Sequence, residues 1–267
     1  MINFDIDYMD YVIKNDLDTL LQINLDDYGN ADRKITPHQN YSVDPNVNDP
    51  YPVELDDLVR LHYLIRKYKV ITALEIGAGK STIVIADALN KNKEQYGDIV
   101  KKKLRKHNSF ELHSIETSSK WSELVLNGLP DKLNNITSIH LTSCKMSTFN
   151  DRICTYFEHI PDICPDFIYL DGPDQYSPEG AVNGFSTRHP DRMPMVADIL
   201  RIEHFLLPGT IIMVDGRTAN ARFMKKNFQL KWEYNHDSNL DIHIFLNVEN
   251  PLGPYNKKEL EFKFGSK

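Results

Sequence analysis

The stretch Thr72-Ala-Leu-Glu-Ile-Gly-Ala-Gly-Lys-Ser-Thr82 is an apolar run that turns on Gly77 and Gly79 and then enters a helix-like segment, Ile83 to Leu89. A strand, a tight glycine turn and a helix N-terminus together present backbone N–H groups to a nucleotide-like ligand. Three ligands compete for such a turn. Gly79-Lys80-Ser81 suggests a P-loop, but that motif needs a glycine five residues before the one preceding its lysine, and Leu74 stands there. A dinucleotide fingerprint wants a third glycine where Thr82 sits. Acidic side chains follow four of the apolar runs: Glu75 in the first, Glu116 after Phe110–Ile115, Asp171 and then Asp174 after Phe167–Leu170, and Asp215 after Thr210–Val214. His189 lies between Arg188 and Arg192 in Gly184-Phe-Ser-Thr-Arg-His-Pro-Asp-Arg192. A carboxylate or imidazole so placed can remove a proton from a reacting hydroxyl. The arginine-flanked loop reads as a lid able to grip an acidic or phosphorylated molecule.

Positioning these groups calls for an α/β framework. Leu55, Leu58, Leu61, Leu64 and Ile65 follow helical spacing, so 55–68 is a helix leading into the first strand. Strands are expected at 70–76, 110–115, 136–141, 167–170, 210–214, 229–234 and 241–248, and helices at 81–90, 119–126, 147–160 and 195–206. Five strands separated by helices form a parallel sheet, because parallel neighbours need crossovers. The last two strands are joined only by His236-Asp-Ser-Asn-Leu240, too short for a crossover, and pair as an antiparallel hairpin. The expectation is a seven-stranded, Rossmann-like doubly wound sheet. Residues 1–54 form an N-terminal extension whose acidic amphipathic part spans 8–25 and whose Asn-, Asp- and Pro-rich part runs to Pro52. Residues 55–250 form the domain and 251–267 a C-terminal tail.

Glu75-x-Gly77-x-Gly79, with an acid after the second strand and a closing hairpin, resembles the class I S-adenosylmethionine (SAM) methyltransferases. The resemblance spans roughly 55–248 and implies SAM at Glu75, Gly77, Ala78, Gly79, Ser81, Thr82, Glu116, Thr117 and Cys144, with Glu116 accepting from the ribose hydroxyls. Apolar strand, Asp171-Gly, then Leu206-x-Pro208-Gly, strand and Asp215 is similar to the small-molecule O-methyltransferases, including the catechol and sugar types. Many of those hold Mg²⁺, which this resemblance assigns to Asp171 and Asp215. Gly216 stands where a third ligand would be, and Asp174 where the catechol enzymes place a lysine base. The implied activity is methyl transfer to a hydroxyl of a small molecule or glycan, with Asp171, Asp174 and His189 as candidate bases. An NAD-linked oxidoreductase and a non-catalytic nucleoside-binding protein are the competing readings.

Composition narrows the class. With 267 residues, 41% hydrophobic, and a net charge of −7, the chain suits one large α/β domain and not a nucleic-acid binder, which would carry a basic face. It shows no apolar run of membrane-spanning length and an acidic N-terminus, the profile of a cytoplasmic protein, compatible with a homo-oligomer. Cys144, Cys154 and Cys164 have no CxxC spacing and are expected as core or semi-buried residues. Lys101-Lys-Lys-Leu-Arg-Lys106 reads as a solvated extension of the first crossover, or alternatively as a patch for an anionic substrate or membrane surface.

Overall fold

The computed structural model describes residues 4–28 and 53–265. Two short helices, α1 (Tyr8–Lys14) and α2 (Leu17–Leu21), precede α3 (Leu55–Lys67). Asp7 starts α1 by accepting the Asp10 N–H at 3.0 Å, a side-chain cap for an otherwise orphan donor. Val12, Leu17 and Leu21 are buried with Leu55 and Val59 of α3, so the extension packs on the domain. A polar chain crosses this interface: Tyr11 Oη to His62 Nδ1 at 2.8 Å, then His62 Nε2 to Asp87 at 3.2 Å, with Lys91 donating to Asp87 at 2.6 Å. Burial alone would raise the Asp87 carboxyl, but the bonds from His62 and Lys91 bring it down to about 2. The Asn-, Asp- and Pro-rich part, from 29 to 52, lies outside the described residues.

Strand β1 (Thr72–Ile76) leads through the glycine turn into α4 (Lys80–Lys103). Then follow β2 (Glu111–Glu116), α5 (Ser119–Gly128), α6 (Asp131–Asn134), β3 (Thr137–Leu141), the hairpin β4 (Cys144–Phe149) and β5 (Arg152–Phe157), and β6 (Phe167–Leu170). The chain continues through α7 (Asp198–Ile202), β7 (Ile211–Asp215), α8 (Thr218–Asn227), β8 (Trp232–Asp237), β9 (Ile242–Asn247) and α9 (Pro254–Phe264). Seven strands form one sheet in the order β3-β2-β1-β6-β7-β9-β8. The first five strands in this order are parallel, and β9 is antiparallel to both β7 and β8. This is the expected doubly wound sheet with its closing hairpin. Strand order reverses between β1 and β6, the switch point where such sheets bind ligands.

Alternation along the central strands distributes the core. Ala73, Phe167, Tyr169, Ile211 and Met213 join the cluster built with α3 and α4, while Leu74, Ile168, Leu170, Ile212 and Val214 join the cluster built with α7 and α8. Near-continuous apolar runs are what a parallel sheet covered on both faces requires.

Two expected helices are corrected. Of residues 147–160, those up to Phe157 belong to the β4–β5 hairpin, because Asn150 and Asp151 take positive φ (48° and 60°), the backbone of a two-residue hairpin turn. The helix expected over 195–206 begins only at Asp198. Met195–Ala197 stays outside the helix because the Thr155 N–H donates to the Met195 carbonyl at 2.9 Å and the Ala197 N–H to the Thr155 carbonyl at 3.1 Å, a bridge of Val196 to β5. The lysine run 101–103 is the last turn of α4, where cations suit the helix C-terminus. Among the described residues no helix is long and apolar enough to cross a membrane.

The segment expected as a tail carries α9, which drives Lys263 into the start of the sheet. Its Nζ lies 3.2 Å from the Asp166 carboxylate and donates to the carbonyls of Asp166 and Gly209 at 3.1 and 2.9 Å. The same carboxylate accepts the N–H groups of Ile71 and Thr72, the latter at 2.6 Å. Burial alone would raise the Asp166 carboxyl, but Lys263 and these backbone donors hold it below the usual carboxylate range. Lys263→Met removes one partner of a buried pair, and a loss of about 3 kcal/mol is expected in urea unfolding. Adding Asp166→Asn should return part of it, and additive losses would show that the pair is not coupled.

Candidate cofactor and acceptor site

The glycine turn sits at the switch point, and two carboxylates hold it from different sides. Glu75, fully buried at the end of β1, accepts from Ser114 Oγ (2.5 Å), Ser81 Oγ (2.5 Å) and Thr82 Oγ1 (2.6 Å). It therefore ties β1 and β2 to the first turn of α4. Its three partners are side-chain hydroxyls. Glu116, at the end of β2, accepts the Ala78 N–H at 3.0 Å on Oε2 and the Thr117 and Ser118 N–H groups at 2.7 and 2.8 Å on Oε1. Each carboxylate oxygen offers two lone pairs, so Oε2 keeps acceptor capacity beyond Ala78. The Gly79 N–H donates to Thr82 Oγ1 at 3.0 Å.

Burial pushes the Glu75 carboxyl up to about 7, against the hydroxyl bonds from Ser114, Ser81 and Thr82 that favour the anion. The folded protein thus binds a proton that the unfolded chain, titrating near 4.5, has released. That contribution is complete below pH 4.5 and disappears as pH rises through 7, a span of about 3 kcal/mol. In Glu75→Gln this part of the stability–pH curve should flatten. A slope identical to wild type over that window would refute the assignment.

Asp171 and Asp215 end neighbouring strands, one residue beyond the paired Leu170 and Val214. Arg217, at the entry to α8, brackets Asp171: its Nε lies 3.4 Å from Oδ1, and it donates to the Asp171 carbonyl at 2.5 Å and the Pro173 carbonyl at 3.0 Å. Tyr169 Oη donates to Asp215 at 3.2 Å. Burial, and then the neighbouring Asp171 charge, push the Asp215 carboxyl up to about 7, with Arg60 and the Tyr169 bond opposing. This donor set does not fit the Mg²⁺ that the resemblance implied. One carboxylate is engaged by a guanidinium, the other by a phenol, and Gly216 offers no side chain.

The remaining candidates lie on the wall formed by 172–197. Asp174 is exposed and accepts the Tyr176 N–H at 2.8 Å, a turn-forming bond. His189 is linked to this wall because its carbonyl accepts from Gln175 at 3.1 Å. Arg188 and Arg192 spend donors on the carbonyls of Pro178 and Ser186. Between this wall and the hairpin lies a cavity of about 560 Å³ whose lining includes Met146, Ile153, Phe185, Met195 and the cations Arg152 and Arg192. Cys144 is buried in the cluster that holds Cys154 and Phe157, and burial pushes its thiol up to about 12.

Sequence reasoning missed Arg217 and Tyr169. Arg217 left one local signal, its place two residues after the acid that ends β7.

No family model and no curated protein matches the chain. Among solved structures, the O-methyltransferase TomG from Streptomyces achromogenes, involved in tomaymycin synthesis and crystallised with SAM, is 15% identical over 74% of this chain and 82% of its own, with a TM-score of 0.41. The S-adenosylhomocysteine-bound methyltransferase PaMTH1 from Podospora anserina is 10% identical over 93% and 99%, with a TM-score of 0.46. The O-methyltransferase from Bacillus cereus, bound to the same product, is 13% identical over 93% of both chains, with a TM-score of 0.40. The strand order found here, with β9 antiparallel between β7 and β8, is the one expected from the sequence.

Proposed function

We propose that this protein is a SAM-dependent methyltransferase acting on a hydroxyl of a small molecule. The carrying observation is the glycine turn at the switch point, clamped by Glu75 and Glu116, with Asp171 at the end of the adjoining strand. A side chain added at Gly79 would meet only Ser81 Oγ, at 3.8 Å, so the turn leaves open space where a ligand has to approach the backbone. Gly77, Ala78, Gly79 and the first turn of α4 would line that space, with Glu116 for a ribose diol. SAM supplies an electrophilic methyl on a sulfonium, which leaves as a thioether.

The chain's own task is to hold the acceptor oxygen in line and take its proton. Asp171, fixed by Arg217, and Asp215, fixed by Tyr169, are the carboxylates at the strand ends, and one of them receives that proton. Asp174 and His189 remain on the acceptor wall as contacts. The mainly apolar lining of the 560 Å³ cavity, in which Arg152 and Arg192 outnumber the one acid Asp191, favours an acceptor with an apolar body over a glycan. With a guanidinium on one carboxylate and a phenol on the other, added Mg²⁺ should leave turnover unchanged.

Calorimetry with SAM, S-adenosylhomocysteine, NAD and ATP in parallel tests the donor. Binding of the first two alone is expected. Tighter binding of NAD, or none of SAM, would overturn the proposal.

A further inference from the structure

We propose that His236, Asp241 and His243 form a binding site for one divalent transition-metal ion of the Zn²⁺ type, at the hairpin that closes the sheet. His236 and His243 face each other across β8 and β9, and directly opposed residues of an antiparallel pair share a face. Their rings stack with 4.0 Å between centroids. Asp237 forms the turn between the strands by accepting the Asn239 and Leu240 N–H groups, and Asp241, at φ 51°, brings a carboxylate back toward the two imidazoles. One donor atom from each of the three residues lies within 4.8 Å of the others.

Two observations set this cluster apart from a polar hairpin surface. His236 Nε2 is buried and has no hydrogen-bond partner, an expense that a bound cation would remove. His243 is fully buried and its Nδ1 is held by Tyr234 Oη at 2.9 Å, the outer contact that fixes the orientation of a ligating imidazole and leaves Nε2 for the ion. Thr218 Oγ1 now bridges that Nε2 (2.8 Å) and Asp241 Oδ1 (3.4 Å), so it occupies the middle of the cluster. Four-coordinate Zn²⁺ with bonds near 2.0–2.1 Å places its ligand atoms roughly 3.4 Å apart. Closing round an ion therefore asks for a rotamer change at Thr218 and a swing of the His236 ring.

Two imidazoles and one carboxylate select a borderline ion over Mg²⁺ or Ca²⁺, which take oxygen ligands. Arg222 and Lys225 of α8 face this side of the hairpin and limit the charge it can attract, which again favours nitrogen donors over a purely electrostatic site. The ion would also fix the turn that carries Arg217. The Gly216 N–H donates to the Asp241 carbonyl at 3.0 Å, and Thr218 opens α8.

The test uses the full chain stripped with a chelator and titrated with Co²⁺, read by visible absorbance, followed by displacement with Zn²⁺ and separately with Mg²⁺. One equivalent of Co²⁺ is expected, displaced by Zn²⁺ and not by Mg²⁺. His236→Asn and Asp241→Asn should each weaken binding about tenfold or more while unfolding at the temperature of the stripped wild type. Absence of Co²⁺ binding in the wild type, or unchanged binding in both variants, would overturn the site. SAM calorimetry on the same samples reports on the proposed function independently.

Discussion

Gly172→Ala is expected to destabilise the protein by about 3 kcal/mol or more, while Gly79→Ala, in the recognised glycine motif, leaves the fold intact. The turn after β1 and the turn after β6 lie back to back. A Cβ on Gly172 would stand 2.6 Å from Gly77 Cα and 2.7 Å from Gly77 N, and a Cβ on Gly77 would stand 2.8 Å from Gly172 Cα and N. These are backbone atoms on both sides, so no side chain can rotate away. Gly77 adds a φ of 97°, which costs any other residue further. Gly79 has extended backbone, φ −169°, and open space beyond its α-carbon. Alanine there should change unfolding by less than about 1 kcal/mol and weaken SAM about tenfold or more, because the methyl enters the ligand's space. Chemical denaturation and calorimetry on the two variants check this. Wild-type SAM affinity in Gly79→Ala would mean that the ligand does not approach the turn.

Removing Arg217 is expected to cost about 10²-fold or more in turnover with SAM affinity unchanged, and Asp171→Asn should do the same. Arg217 makes its three contacts with a planar fork: one to the Asp171 carboxylate and two to the carbonyls of Asp171 and Pro173. Lysine cannot reproduce that geometry, so Arg217→Lys should recover only a small part of the loss. The measurement is transfer of labelled methyl from SAM to a panel of hydroxyl-bearing small molecules, with kcat and KM separated. If Asp171→Asn and Asp215→Asn both turned over as wild type while binding SAM, the carboxylate mechanism would be wrong.

The parts legible in the sequence are those written in local pattern. Apolar runs ending in Gly77, Glu116, Asp171 and Asp215 located the strands and hence the site, because a parallel sheet buried on both faces leaves continuous hydrophobic stretches. Residues 147–160 misled because Ile153, Phe157 and Ile160 also fit helical spacing, and the deciding signal was a turn at Asn150-Asp151. What long-range pairing creates left little trace. Arg217 meets Asp171 across 46 positions, Gly77 meets Gly172 only once β1 and β6 are neighbours, and His236 meets His243 only in the hairpin's register. The histidine cluster has no familiar ligand spacing, so its three members read as unrelated until β8 and β9 were paired.

Lys263 gives the order of assembly a direction. The carboxylate it neutralises holds Ile71 and Thr72 at the start of β1 and itself opens β6, and its main-chain carbonyl is shared with the start of β7. During synthesis all the strands of the main sheet leave the ribosome before this buried anion has its countercharge. Domains generally fold as units, and N-terminal segments emerge first. Here the earliest strand of the sheet is tied to a side chain that is synthesised after all the other strands.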